Sequence, residues 1–121
     1  MEIINAETRN KEGLKVTIAI TRKEIYFNKM ASDRFDITPH RMITFLTDVD
    51  RLFFYVSDDP NGLKIHQCTQ GGTKVYNTMV YRVLLEKIPY LLANGHIFPL
   101  KRSNSEMQGN KLIEVLFHKK P

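Results

Sequence analysis

A chain of 121 residues, 42% of them hydrophobic and with Cys68 as its single cysteine, is sized for one domain (1–121) with one core and has no route to an internal disulfide. Folding at this length removes roughly two-thirds of the unfolded surface from water, so a structural metal is not needed either. The net charge of +5 is uneven: residues 1–66 carry ten Lys and Arg against ten Asp and Glu, and residues 67–121 carry eight against three, an excess that favours a polyanionic partner because lysine and arginine replace counterions condensed on phosphates.

The first residues, Met1-Glu2-Ile3-Ile4-Asn5-Ala6-Glu7, are acidic where an export signal is basic, and no apolar segment follows them. No run approaches the roughly 20 apolar residues of a membrane span, so a soluble, cytoplasmic protein without membrane association is expected. Between positions 14 and 20, Leu14, Val16, Ile18 and Ile20 alternate with Lys15, Thr17 and Ala19, which predicts a strand with one buried face. Ile25-Tyr26-Phe27 is a short β-prone run ending at Asn28, a favoured N-cap, and a helix over 29–35 is predicted to follow until Thr38-Pro39 ends it. Residues 42–46 and 51–56 are rich in β-branched and aromatic side chains and form a predicted hairpin about the turn Thr47-Asp48-Val49-Asp50. The dense turn signal Asp58-Asp59-Pro60-Asn61-Gly62 leads into a fifth strand over 63–68, and Thr69-Gln70-Gly71-Gly72 reads as a flexible connection. Lys74-Val75-Tyr76 then predicts a strand, Asn77 a second cap, 78–88 a helix closed or bent by Pro89, 96–100 a strand, 102–110 a polar loop and 112–117 the last strand.

Ile25-Tyr26-Phe27-Asn28-Lys29-Met30 and Lys74-Val75-Tyr76-Asn77-Thr78-Met79 share an aromatic residue, an asparagine and a methionine at a spacing of 49. Each is followed by a helix, an apolar strand (Ile43-Thr44-Phe45-Leu46, Ile97-Phe98-Pro99-Leu100), a loop and a final strand. Two similar strand-helix-strand-strand halves, about 14–68 and 73–118, are expected. A half of this size buries its apolar faces poorly alone, so the expected fold is α+β: a β-rich small barrel or closed sheet made by both halves with pseudo-twofold symmetry.

The unit of strand, short helix, strand and hairpin resembles the swapped-hairpin domain of the AbrB, SpoVT and MraZ type, over about residues 14–117. The stretch 25–46, with its phenylalanine-asparagine step opening a short helix, also resembles small uncharacterised proteins of Bacteroidetes and their mobile elements. Such families commonly carry leucine-x-x-glycine-aspartate after the helix, where this chain has Ile37-Thr38-Pro39-His40-Arg41-Met42. The resemblance implies two interlocked units in one barrel and DNA binding as a transcription regulator or antitoxin.

Candidates for chemistry are sparse. His66 and Cys68 share a face of the predicted fifth strand, but His40, His96 and His118 stand apart from them and no paired zinc-ligand spacing is present, so no metal is assigned and Cys68 reads as a buried, inert thiol. Asp48 and Asp50, like Asp58 and Asp59, are turn residues, and Gly71-Gly72-Thr73-Lys74 has the order of no phosphate loop. No catalytic residue or cofactor is assigned. Arg22-Lys23 and Lys101-Arg102 are cationic pairs at predicted strand ends, where they reach phosphates without occupying core positions. With Lys15, Lys74, Lys119 and Lys120 they are the candidate nucleic-acid-binding residues, and an anion-binding face is expected to centre on Lys101 and Arg102. Phe53, Tyr55 and Tyr76 are candidates for stacking on unpaired bases or, alternatively, for the core. Surface solvation accounts for each basic residue singly, and only their clustering makes a site. A non-enzymatic DNA-binding regulator is therefore expected, with a protein-interaction or structural module of a phage or mobile element as the alternative. Monomer and homodimer both suit the sequence.

Overall fold

In the computed structural model, which describes residues 16–76, 78–93 and 95–117, the first alternating segment becomes β1 (Thr17–Ile20), paired with β2 (Glu24–Phe27) in an antiparallel hairpin. Thr21 closes the turn, its Oγ1 donating to Glu24 O at 2.7 Å and accepting from Glu24 N at 3.2 Å. Ile18, Ile20, Ile25 and Phe27 all point inward and are fully buried, as period-2 alternation requires.

Helix α1 (Lys29–Arg34) opens as predicted. Asn28 Oδ1 accepts from Ala31 N at 2.8 Å, satisfying one of the free N–H groups of the first turn, and also from Thr17 N at 3.3 Å, which ties the helix start to β1. The helix ends within one residue of the expected position, but Thr38-Pro39 is not what stops it. Asp36 adopts a left-handed φ of 56° and Ile37 N donates back to Ser32 O at 2.9 Å, so the helix stops ahead of Thr38-Pro39.

Strands β3 (Met42–Asp48) and β4 (Arg51–Ser57) pair in register along their whole length, and the loop between them is only Val49-Asp50. The predicted fifth strand is divided about buried Ile65: β5 (Leu63–Lys64) pairs with β3, and β6 (His66–Gln67) pairs with β7 (Thr73–Tyr76). The expected flexible connection after it is a tight turn, closed by Cys68 N to Gly72 O at 2.8 Å. A Cβ at Gly72 would collide with Phe27 O and Tyr26 Oη, so only glycine fits between β7 and β2.

Helix α2 (Thr78–Lys87) and helix α3 (Pro89–Ala93) follow, Pro89 serving as the first residue of α3, where its missing N–H costs nothing. Leu84, Ile88 and Leu91 recur at helical spacing and are fully buried. The cap expected at Asn77 lies outside the described residues, as do Lys15, His118, Lys119 and Lys120. Most of the predicted polar loop over 102–110 is instead strand, and only 108–109 are a turn. β8 (Ile97–Met107) and β9 (Asn110–Val115) form a long hairpin turned by Gln108 and Gly109, with φ of 54° and 80°.

All nine strands belong to one antiparallel sheet in the order β5-β3-β4-β9-β8-β1-β2-β7-β6. Because β5 and β6 are neighbours along the chain, its two edges meet at Ile65 and the sheet curls into a nearly closed barrel. The β3–β4 hairpin lies between β5 and β9, and the β8–β9 hairpin lies between β4 and β1. Since β4 and β9 run antiparallel, the turns of these two hairpins are at opposite ends of the barrel. Phe27, Phe54 and the buried isoleucines fill the interior together with Leu84, Ile88 and Leu91. On the other face of β4 and β9, Phe53, Tyr55 and Leu112 form a second buried cluster with Leu46 against it.

Candidate nucleic-acid interface

The β8–β9 hairpin outgrows the barrel. Its pairing with β1 covers Ile97 to Pro99 and is extended by Leu100 N donating to Val16 O at 3.0 Å, and its pairing with β4 ends at the Phe54↔Ile113 pair; beyond these, among the described residues, β8 and β9 form strand pairs only with one another. The register shifts between Arg102 and Glu106, where Ser103, Asn104 and Ser105 bulge out. Bulges of this kind bend and twist a ribbon and re-aim its side chains. From Lys101 to Lys111 every residue is exposed except half-buried Ser103 and Asn110. The ribbon carries Lys101, Arg102 and Lys111 against the single acid Glu106, interspersed with Asn104, Gln108 and Asn110. Amides and cations are the side chains that hydrogen-bond base edges and phosphates.

At the root of the ribbon Glu114 is held in an ion pair. Arg51 grips Glu114 through both carboxylate oxygens, Nε at 2.9 Å and Nη2 at 2.8 Å, opposite Lys101 on the neighbouring strand. This hydrogen bond, opposed by burial and assisted by the charge of Glu114, raises the Arg51 pKa. The guanidinium of Arg102 lies 5.4 Å from the centre of the Phe35 ring. Among the described residues no carboxylate forms an ion pair with it.

The other sequence candidates are dispersed. Arg22 and Lys23 sit in the β1–β2 turn, and Ile20 N donates to His96 O at 2.7 Å, which fixes that turn at the start of β8. From His96 to Arg102 the strand runs about 20 Å at roughly 3.4 Å per residue, so the two cationic pairs occupy opposite ends of the barrel. Lys74 stands on the outer face of β7, its Nζ 3.5 Å from Glu24 and 4.9 Å from the Tyr76 ring centre. A hydrogen bond to Tyr76, opposed by burial and assisted by Glu24, raises its pKa. Of the aromatic candidates, Phe53 and Tyr55 are buried and only Tyr76, 54% exposed and packed on the His66 ring, faces solvent. Cys68 is half-buried, and no group of three or more His, Cys, Asp or Glu is placed to hold a metal among the described residues. Nor is any described helix long and apolar enough to cross a membrane.

Sequence reasoning singled out Lys101 and Arg102 but passed over Asn104, Gln108, Asn110 and Lys111. Their one available signal was Gln108-Gly109, a hairpin-turn pair between two polar stretches.

At the other end of the barrel, an apolar cleft of about 250 Å³ opens between the β3–β4 hairpin and α2, lined by Phe45, Leu46, Leu52, Val83 and Met79, the last 59% exposed. Comparison with family models, curated proteins and solved structures finds no match.

Proposed function

We propose that this chain is a non-enzymatic DNA-binding regulator built as a duplicated swapped-hairpin domain, and that it meets DNA through the β8–β9 ribbon. The duplication is supported by strand order. β1–β2, α1 and β3–β4 form one hairpin-helix-hairpin unit, and the 63–67 segment with β7, then α2 and α3, then β8–β9, form another. In this pairing the last hairpin of each unit is flanked by strands of the other, β3–β4 by β5 and β9, β8–β9 by β1 and β4. The division places 63–67 with the second unit, as the counterpart of β1. A pseudo-twofold axis relating the units would pass between β2 and β7 and between β4 and β9.

The ribbon carries the functional reading. A two-stranded ribbon fits the DNA major groove, about 12 Å wide, and this one presents cations and amides on an exposed, bulged stem. Arg22, Lys23 and Lys74 fall outside this interface. The test is fluorescence anisotropy with a labelled duplex at several salt concentrations. Replacing Lys101 and Lys111 together by Ala should weaken binding to unrelated sequences alike and reduce the slope of log affinity against log salt by about 1.8, roughly 0.9 for each phosphate contact. The pair Arg22→Ala and Lys23→Ala should leave the slope unchanged. Absence of binding at low salt would end the reading.

The apolar cleft beside Met79 favours the second reading, a protein-interaction module. An interface of that kind would change little with salt, and Met79→Asp would abolish it while sparing DNA binding.

A further inference from the structure

Where the ribbon joins the barrel, a cavity of about 120 Å³ is lined by Arg41, Arg102 and Lys111 over a floor of Phe35, Val56 and Ile113. Three cations from three separate elements converge on it: Arg41 from the segment before β3, Arg102 from β8 and Lys111 from β9. A volume equal to about four waters at ~30 Å³ each is far below that of an organic-cofactor pocket and suits one tetrahedral oxyanion.

Arg41 is held in place before any ligand arrives. Its Nη1 donates to Asp36 Oδ2 at 2.8 Å and its Nη2 to Val56 O at 3.4 Å, while Nε stands 3.0 Å from Asp58 Oδ1. Two carboxylates therefore balance its charge and orient its plane. Lys111 lies 3.5 Å from Glu106, both of them exposed. Arg102 differs from both, because its contact is the Phe35 ring and no acid pairs with it among the described residues. A guanidinium resting on an aromatic face keeps its hydrogen-bonding edge available and is more weakly hydrated than an ammonium, so it gives up water readily to a bidentate oxyanion.

We propose that this pocket seats a single phosphate group, with Arg102 as the principal ligand, Lys111 as a second charge and Arg41 as a fixed donor at the wall. On the DNA-binding reading, on which this assignment rests for its source, the group is one phosphodiester of the duplex, and it would fix how deeply the ribbon enters the groove. A free phosphate ester offers the same chemistry, and the experiment separates the two.

Arg102 and Arg41 side-chain Nε–H signals and the Ile113 methyl signal are followed by NMR, first during titration with inorganic phosphate and then with a 20-base-pair duplex. Saturable shifts of all three with both probes are expected. In Arg102→Met the affinity for phosphate should fall at least tenfold, with partial recovery in Arg102→Lys, and unchanged methyl shifts elsewhere would show that the barrel is intact. Shifts with phosphate but no binding of the duplex would keep the pocket and remove the DNA reading, leaving a small phosphate ester as its ligand. Duplex binding that leaves these three signals unmoved would overturn the pocket and keep the ribbon. Phosphate shifts of the same size and affinity in Arg102→Met would also overturn it.

Discussion

Asn28 serves two partners with one side-chain oxygen, the first turn of α1 and the backbone of β1, and it was visible in the sequence because a cap needs only one residue of the right kind at the right place. Asn28→Ala should cost about 1–2 kcal/mol, since it leaves two N–H groups without that acceptor; an unchanged denaturant midpoint would show that the cap contributes nothing. Val49 was read only as part of a four-residue turn. In the structure it occupies a two-residue loop with a φ of 57° and is 87% exposed. A β-branched residue is strained there, its side chain meets nothing that would compensate, and glycine is the residue such a turn accepts. Val49→Gly should therefore raise stability, by about 0.5–1 kcal/mol, because relief of left-handed strain exceeds the added chain entropy. Thermal unfolding of the two proteins decides it, and a lowered midpoint would count against the strained turn.

Among the elements, those with at least one buried face were legible, and the one strand segment with none was not. β1 and α1 announce themselves by alternation and helical spacing, because burial imposes a period on the sequence, and β2, β3 and β4 by their β-branched and aromatic residues. The outer half of β8 has water on both faces, so nothing selects between odd and even positions, and residues 102–107 read as a loop although they are strand. The end of α1 lies within one residue of the expected position, but what stops the helix is not the proline. Proline is a conspicuous stop, but the Asp36 turn acts earlier through backbone conformation that an aspartate does not advertise. At this scale the ribbon is separable from the barrel. Replacing residues 104–111 by Asn-Gly should change stability by less than about 1 kcal/mol, because the removed side chains are exposed or half-buried. The same change should weaken duplex binding and lower its salt dependence in the anisotropy assay, since it removes Lys111 and the amides of the ribbon. A shortened protein that still binds with the original salt dependence would place the interface elsewhere.

For the whole molecule, the decisive property is that neither half completes a sheet alone. β3 and β4 take their outer partners from β5 and β9, and β8 finds β1 only across the chain. Fragments 1–60 and 61–121 should each lack a cooperative unfolding transition, and mixing them should restore one, monitored by circular dichroism; a fragment that melts cooperatively as a monomer would contradict the interdependence. A β-rich, nearly closed barrel with one core was readable from length and strand content, and interlocked units were expected from the swapped-hairpin resemblance alone; the order of the strands was not readable, since local patterns do not say which strand lies beside which. The β3–β4 and β8–β9 hairpins also differ in what they carry outward. One ends in Asp48 and Asp50, the other in Lys111 and the amides around Gln108 and Gly109, and they point in opposite directions. Two basic arms related by a dyad would call for an inverted repeat in the DNA. With one basic arm and one acidic tip, the molecule has a polarity: its target on the proposed reading is a non-palindromic sequence, and copies bound along one duplex would all face the same way.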